Sequence, residues 1–110
     1  ANRVVGEVAG KECVLVDDMI DTAGTITEAI KVLTNAGAKK VIVAATHGIL
    51  SDPAVRRLSE SGATEVVITD TLPVSAEKRF PSLTILSIAP LLARAILEVF
   101  EDGSVTSLFT

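Results

Sequence analysis

The stretch from Val14 to Ile26 constrains the fold more than any other part of the chain. It reads VLVDDMIDTAGTI, so three apolar residues are followed by two adjacent carboxylates and then by a run of small residues. An uninterrupted Val-Leu-Val is typical of a strand that is buried on both faces of a parallel sheet. The pattern therefore predicts a strand that ends at Asp17, then a small-residue loop, then a helix.

The loop at residues 22–25, Thr-Ala-Gly-Thr, has the composition of an anion site. Small side chains let successive backbone N–H groups converge on one anion, the hydroxyls add donors, and the following helix contributes the positive end of its dipole. Asp17 and Asp18 would repel a phosphate, but carboxylates accept hydrogen bonds from vicinal sugar hydroxyls and are good outer ligands for Mg²⁺. The stretch therefore predicts a sugar-phosphate site, with ribose between the loop and the acidic pair. The alternative is that Asp17 and Asp18 merely end a strand and that Thr25 caps a helix, in a capping box with Glu28.

The rest of the chain alternates strands and helices within what its length indicates is a single domain. Apolar residues at helical spacing predict a helix from Ile26 to Ala36, with Gly37 as a left-handed C-cap. Further strands are expected at residues 41–45, 66–68 and 83–86, and further helices from Ser51 to Gly62 and from Ala89 to Gly103. This order predicts the α/β class, with an open, mostly parallel sheet, helices on both faces, and a short amino-terminal hairpin that turns at Gly10.

Two polar residues follow the later strands. His47 and Asp70 are expected at the same sheet edge as Asp17, because the carboxyl ends of parallel strands meet there. His47 is either structural or a general base, and Asp70 is either a turn residue or a contact at the rim of the ligand site. Residues 74–82 are expected to form a solvated loop.

Composition argues against several classes of partner. The net charge is −4 and basic residues occur only in pairs, so a nucleic acid is not expected as a partner. No apolar run reaches the ~18 residues of a membrane span, so no membrane association is expected. The single Cys13 cannot form an intrachain disulfide, and the sequence favours a cytoplasmic protein.

The stretch from Val14 to Ile26 resembles the phosphoribosyl diphosphate binding motif shared by type I phosphoribosyltransferases and ribose-phosphate diphosphokinases. The latter make phosphoribosyl diphosphate and AMP from ATP and ribose 5-phosphate. Three later segments resemble the carboxyl-terminal half of the diphosphokinases, namely ATHGILS at residues 45–51, DTLP at 70–73 and GSVTSLF at 103–109. The resemblance covers nearly the whole chain. It implies that residues 1–110 form one phosphoribosyltransferase-like domain, the carboxyl-terminal half of a two-domain parent enzyme.

The resemblance also implies a role for each motif residue. Asp17 contacts the ribose hydroxyls with help from Asp18, and Met19 and Ile20 are expected to pack rather than bind. The residues implied to hold the 5-phosphate are Asp21, Thr22, Ala23, Gly24 and Thr25. The family commonly has Gly where this chain has Ala23, so the methyl group is expected to be tolerated unless the position needs a positive φ.

Transfer of diphosphate to ribose 5-phosphate needs Mg²⁺ and cationic groups. No Lys or Arg adjoins the motif in the sequence, so we expect the cations, the ATP site and the metal ligands in the preceding half. No catalytic residue is then expected in this chain, and the isolated fragment should be inactive. The resemblance further implies a hexameric parent with an allosteric nucleotide site, to which Ser104, Thr106 and Phe109 contribute.

Two other functions stay open on the sequence alone. A phosphoribosyltransferase domain would bind phosphoribosyl diphosphate and a base without depending on ATP. A catalytically silent synthetase-associated subunit would assemble with its relatives but form no product.

Overall fold

Four strands and three helices make up the part of the chain that the computed structural model describes, residues 7–101. Their bounds are β1 Glu12–Ile20, α1 Gly24–Asn35, β2 Lys40–Gly48, α2 Ala54–Ser59, β3 Glu65–Thr69, β4 Leu83–Leu86 and α3 Ala89–Phe100. The strands form one sheet in the order β1-β2-β3-β4, and each neighbouring pair is parallel. The predicted α/β class with a parallel sheet is confirmed.

The first two strands are longer than the sequence pattern predicts. β1 does not end at Asp17 but continues to Ile20, which pairs with Gly48 at the end of β2. The backbone hydrogen bonds of a ladder do not depend on side-chain polarity, so two strands of nine residues each pair past the acidic residues. As a result, Asp17 and Asp18 lie within β1 rather than after it.

The core lies between the sheet and the two helices α1 and α2. Ile26 and Ile30 of α1, together with Ala54 and Leu58 of α2, are buried against the sheet, as their spacing predicts. Alternate residues of the central strands complete this layer, since a strand presents every second side chain to one face. The residues of β2 and β3 buried here are Val41, Val43, Ala45, Val66 and Ile68, and Ile20 joins them at the end of the edge strand β1.

The opposite face of the sheet is open in residues 7–101. Val14 is 59% exposed and Val16 is 79% exposed on this face. The sequence predicts helices on both faces, but α1 and α2 contact each other and so lie on the same face. The physical reason is that right-handed crossovers that advance along a sheet in one direction place their helices on one side.

The last helix, α3, begins at Ala89, where the sequence predicts, but its apolar stripe is not covered by the rest of residues 7–101. Pro90 lies in its first turn, in accordance with the preference for proline there. None of the residues of α3 is buried within the described part of the chain. Its apolar stripe instead lines a shallow groove formed by Leu92, Ala95, Ile96, Val99 and Phe100. The helix ends at Phe100, and the predicted stop at Gly103 lies outside the described residues.

The turns agree with the sequence, whereas the long loop does not. Gly37 has a φ of 94°, as a left-handed C-cap requires, and its carbonyl accepts a 2.8 Å hydrogen bond from the amide of Gly10. Residues 74–82 are not simply solvated, because Phe80 is buried and Lys78 Nζ donates to the carbonyl of Ile49 over 3.2 Å. A 3₁₀ turn at Ala76–Lys78 places both side chains towards the body of the domain.

Two predictions concern residues outside the described part of the chain, and a third concerns membranes. The predicted first strand of the hairpin, Arg3 to Ala9, lies mostly outside residues 7–101, as do Ser104, Thr106 and Phe109 of the implied allosteric site. Within the described residues, no helix combines the length and the apolarity that crossing a bilayer requires.

Candidate functional site

The small-residue loop joins β1 directly to α1. Ala23 is the N-cap of α1 and adopts a left-handed conformation, with φ 67° and ψ 14°. The carbonyl of Ala23 accepts the first helical hydrogen bond from the Thr27 amide at 3.1 Å, and it also accepts one from Thr27 Oγ1 at 2.6 Å. An α-helix leaves its first N–H groups without acceptors inside the helix, so the entrance of α1 presents backbone donors beside the loop.

The helix does not begin at the residue that the capping pattern predicts. The sequence places Thr25 at the N-cap with Glu28 reaching back, but α1 begins at Gly24 and its N-cap makes no side-chain hydrogen bond. Thr25 is therefore inside the first turn, and Glu28 instead lies 3.6 Å from Lys31 in an exposed ion pair. The left-handed turn at Ala23 starts the helix two residues before the residue that the capping pattern favours.

An open cleft of about 270 Å³ lies between the end of β1 and the start of α1. It is lined by Asp17, Met19, Ile20, Asp21, Thr22, Ala23, Gly24, Thr25 and Ile26. The structure thus brings together six of the seven residues that the sequence assigns to the ribose and the phosphate. Met19 and Ile20 were both expected to pack; Ile20 is only 2% exposed, whereas Met19 is 46% exposed at the edge of the cleft.

Asp18 is the predicted site residue that does not line the cleft. Asp17 pairs with Ala45 of β2, and both Asp17 and the adjacent Asp18 are exposed. The Asp18 amide nevertheless donates to Asp17 Oδ1 at 2.7 Å. Asp18 therefore holds the carboxylate of Asp17 in place through its backbone.

A cation lies beside the loop, contrary to the expectation from the sequence. Arg57 Nη1 donates to the carbonyl oxygen of Thr22 at 3.0 Å. Arg57 belongs to α2 and is 35 residues away from Thr22 along the chain, so the local pattern around the motif gives no sign of it. The signal that could have found it is the crossover rule, which places α2 on the same face as α1.

His47 and its neighbours form a separate polar network at the same sheet edge. His47 Nδ1 lies 2.7 Å from Thr71 Oγ1, and Thr69 Oγ1 donates to the carbonyl of Thr46 at 2.6 Å. These contacts tie the end of β2 to the end of β3. The structural interpretation of His47 accounts for its geometry, because its ring is hydrogen-bonded between strands and it does not line the cleft.

Asp70 also has a structural partner at this edge. Its Oδ1 accepts a 2.8 Å hydrogen bond from the amide of Ile88, immediately before α3. This bond, with a smaller contribution from the Ser87 hydroxyl, lowers the pKa of the Asp70 carboxyl against a weaker opposing effect of desolvation. Asp70 therefore connects β3 to α3 and is not among the residues that line the cleft.

The sequence is similar to those of known proteins over nearly its whole length. The sequence profile described as "Phosphoribosyl synthetase-associated domain" matches residues 2–110. A ribose-phosphate pyrophosphokinase of Bifidobacterium longum is 70% identical over 109 residues, which are 99% of this chain and 32% of that protein. One from Mycobacterium tuberculosis is 65% identical over 99% of this chain and 33% of its own length.

A solved structure of a similar protein has the same fold. The crystal structure of phosphoribosylpyrophosphate synthetase from Mycobacterium smegmatis is 64% identical and superposes with a TM-score of 0.87. The superposition covers 94% of this chain and 35% of that one. The chain therefore spans about a third of the length of the relatives it matches.

Proposed function

The chain belongs to the family of the phosphoribosyl synthetase-associated domain, and from this premise we propose that it forms the ribose 5-phosphate site of a ribose-phosphate diphosphokinase. The observation that carries the proposal is the cleft itself. It puts the carboxylate of Asp17 on one side and the loop from Asp21 to Thr25 on the other, at the entrance of a helix. Relatives that share most of this sequence are named for the corresponding reaction.

The two sides of the cleft suit the two ends of the ligand. The 5-phosphate accepts hydrogen bonds from the loop amides and the hydroxyls of Thr22 and Thr25, and the dipole of α1 favours its charge. The carboxylate of Asp17 accepts from the ribose hydroxyls. Asp18 assists by donating its amide to Asp17 Oδ1. Asp21 lines the loop end of the cleft, where its backbone takes part in holding the phosphate.

The full-length parent is proposed to transfer diphosphate from ATP to C1 of ribose 5-phosphate, releasing AMP. We propose that this chain, which spans about a third of its relatives' length, lies within the carboxyl-terminal half of the parent, because the segments ATHGILS and GSVTSLF resemble that half. ATP binding, hexamer assembly, the cytoplasmic location and an allosteric contribution of Ser104, Thr106 and Phe109 belong to the same proposal.

Mg²⁺ is needed for such a transfer, but this part of the chain does not form a complete site for it. Among residues 7–101 no three side chains of His, Cys, Asp or Glu converge on a common point. Asp17 and Asp21 offer single carboxylates that suit an outer contact rather than a full ligand set. We therefore propose that the rest of the parent and the substrates hold the metal.

The test is titration of the full-length parent with ribose 5-phosphate in a calorimeter. Asp17→Asn is expected to raise Kd about 10- to 100-fold, because it removes a charged acceptor of sugar hydroxyls. Asp52→Asn is the matched control, since it makes the same charge change outside the cleft and should leave Kd unchanged. Equal affinity of the Asp17→Asn variant and the wild type would contradict the proposal.

A second measurement tests whether residues 1–110 catalyse the reaction without the rest of the parent. Residues 1–110 alone, incubated with ATP, Mg²⁺ and ribose 5-phosphate, are expected to form no phosphoribosyl diphosphate. Product formation by this fragment would show that the catalytic cations are not confined to the rest of the protein. Product formed from a base and phosphoribosyl diphosphate without ATP would favour the phosphoribosyltransferase interpretation.

A further inference from the structure

Arg57 reaches the phosphate loop from a helix that the motif does not include. Its Nη1 donates to the Thr22 carbonyl at 3.0 Å, yet Arg57 itself does not line the cleft. We propose that Arg57 is a positioning residue for the phosphate loop, which it holds in the conformation that binds the 5-phosphate. This inference rests on the proposed ribose 5-phosphate site and adds a residue outside the binding motif.

Arg57 binds the peptide group between Thr22 and Ala23, and the orientation of this group sets the direction of the Ala23 amide. In a planar trans peptide the C=O and the following N–H point in opposite directions. The carbonyl of Thr22 and the amide of Ala23 share one such peptide. When Arg57 fixes the carbonyl on its own side of the loop, the Ala23 N–H must point away from Arg57, which leaves it available on the side of the cleft.

The loop needs such a restraint because its backbone is strained. Ala23 has a φ of 67°, in a region that residues with a Cβ rarely occupy. A strained conformation persists only where its surroundings enforce it. The Arg57 bond to the Thr22 carbonyl and the Thr27 hydroxyl bond to the Ala23 carbonyl both act on this turn.

The surroundings of Arg57 leave its charge available to the loop. The neighbouring Arg56 forms an exposed ion pair, with its Nε 4.0 Å from Glu60 Oε2, whereas Arg57 forms no ion pair within residues 7–101. Gly24 permits the close approach, since a Cβ at that position would lie 3.3 Å from Arg57 Nη1. An uncompensated guanidinium beside the loop favours a bound dianion as well as the loop geometry.

The experiment uses the full-length parent with Arg57→Ala, Arg57→Lys and the control Arg56→Ala. Arg57→Ala is expected to raise KM and Kd for ribose 5-phosphate about tenfold and to leave KM for ATP within about twofold. Arg57→Lys should recover part of the affinity, because it retains the charge but not the planar donor group. Arg56→Ala, which removes the same charge one residue away, should behave as the wild type.

The outcomes separate this inference from the proposed function. If Arg57→Ala binds ribose 5-phosphate normally while Asp17→Asn does not, the positioning role is refuted and the site stands. If neither variant weakens binding, the site itself is refuted. If Arg57→Ala raises KM for ATP and KM for ribose 5-phosphate by the same factor and lowers Tm, Arg57 has only a structural role. Should Arg57→Ala fail to fold, Arg57→Lys answers the question, because an unchanged KM for ribose 5-phosphate with the lysine variant would refute a need for the planar donor.

Discussion

The carboxylate of Asp70 accepts a hydrogen bond from the backbone amide of Ile88, with 2.8 Å between Oδ1 and N. The contact joins the end of β3 to the residue that precedes α3. Because this bond lowers the pKa of Asp70, the folded state favours the charged form more than the unfolded state does. The contribution of Asp70 to stability is therefore complete above its ordinary pKa and is lost as the pH falls through the lowered folded value.

We predict that Asp70→Asn reduces the acid sensitivity of the protein. The amide oxygen of Asn can still accept from Ile88 but does not titrate, so stability should fall less between about pH 5 and pH 3 than in the wild type. Urea unfolding at a series of pH values measures the difference between the two proteins, since all other carboxylates are common to both. The same dependence of the unfolding free energy on pH in both proteins would contradict the prediction.

Asp17 and Asp18 are predicted to differ in their effect on ligand binding. Asp17→Asn should raise the Kd for ribose 5-phosphate about 10- to 100-fold, as described above. Asp18→Asn keeps the backbone donor to Asp17 and should change this Kd less than about threefold. Titration of both variants with ribose 5-phosphate and with its 2-deoxy analogue provides the measurement. The loss caused by Asp17→Asn should be smaller for the analogue, which lacks one hydroxyl. Equal losses for the two variants would show that both carboxylates contact the sugar.

Ala23 allows a prediction about the left-handed turn. Ala23→Gly relieves a backbone cost of about 1–2 kcal/mol but loses a buried methyl and raises the entropy of the unfolded chain, so the free energy of unfolding should change by less than about 1 kcal/mol. Ala23→Val places a β-branched residue at a φ of 67° and should cost about 2 kcal/mol or more. Chemical denaturation of both variants tests this. A valine variant as stable as the glycine variant would mean that the turn is not constrained.

Gly48 is predicted to be intolerant of any side chain. A Cβ at this position would collide with Ile68 Cδ1 from the neighbouring strand. Gly48→Ala should therefore destabilise the fold by about 1–3 kcal/mol through overpacking. Ile68→Val removes the colliding methyl, so the double variant should be more stable than the sum of the two single changes predicts, and a double-mutant cycle in urea measures that coupling. If the losses of unfolding free energy in the two single variants simply add in the double variant, Gly48→Ala does not collide with Ile68.

The sequence predicted those features that depend on local spacing. The helical period from Ile26 onwards places α1, and Gly37 marks its end, because both are properties of consecutive residues. The loop and Asp17 meet in one cleft because a strand followed directly by a helix leaves little freedom in the connection.

The features that the sequence does not reveal depend on tertiary contacts or on the exact end of a strand. The sequence presents Asp17 and Asp18 as one acidic pair at the end of a strand, but β1 continues to Ile20 and of the two only Asp17 lines the cleft. Arg57 was missed because only the packing of α2 beside α1 brings it to Thr22. Periodicity shows that α3 has an apolar stripe but not which element covers it, so the exposure of this stripe within residues 7–101 could not be predicted.

One side of the sheet, where Val14 and Val16 meet solvent, is uncovered within residues 7–101, and this has a practical consequence for anyone who produces residues 1–110 alone. Its apolar strands and the bare stripe of α3 will favour self-association, which should grow with protein concentration and with sulfate salts, and weaken with mild urea. Light scattering across a dilution series should therefore accompany every titration of the isolated fragment, so that clustering is not mistaken for ligand binding.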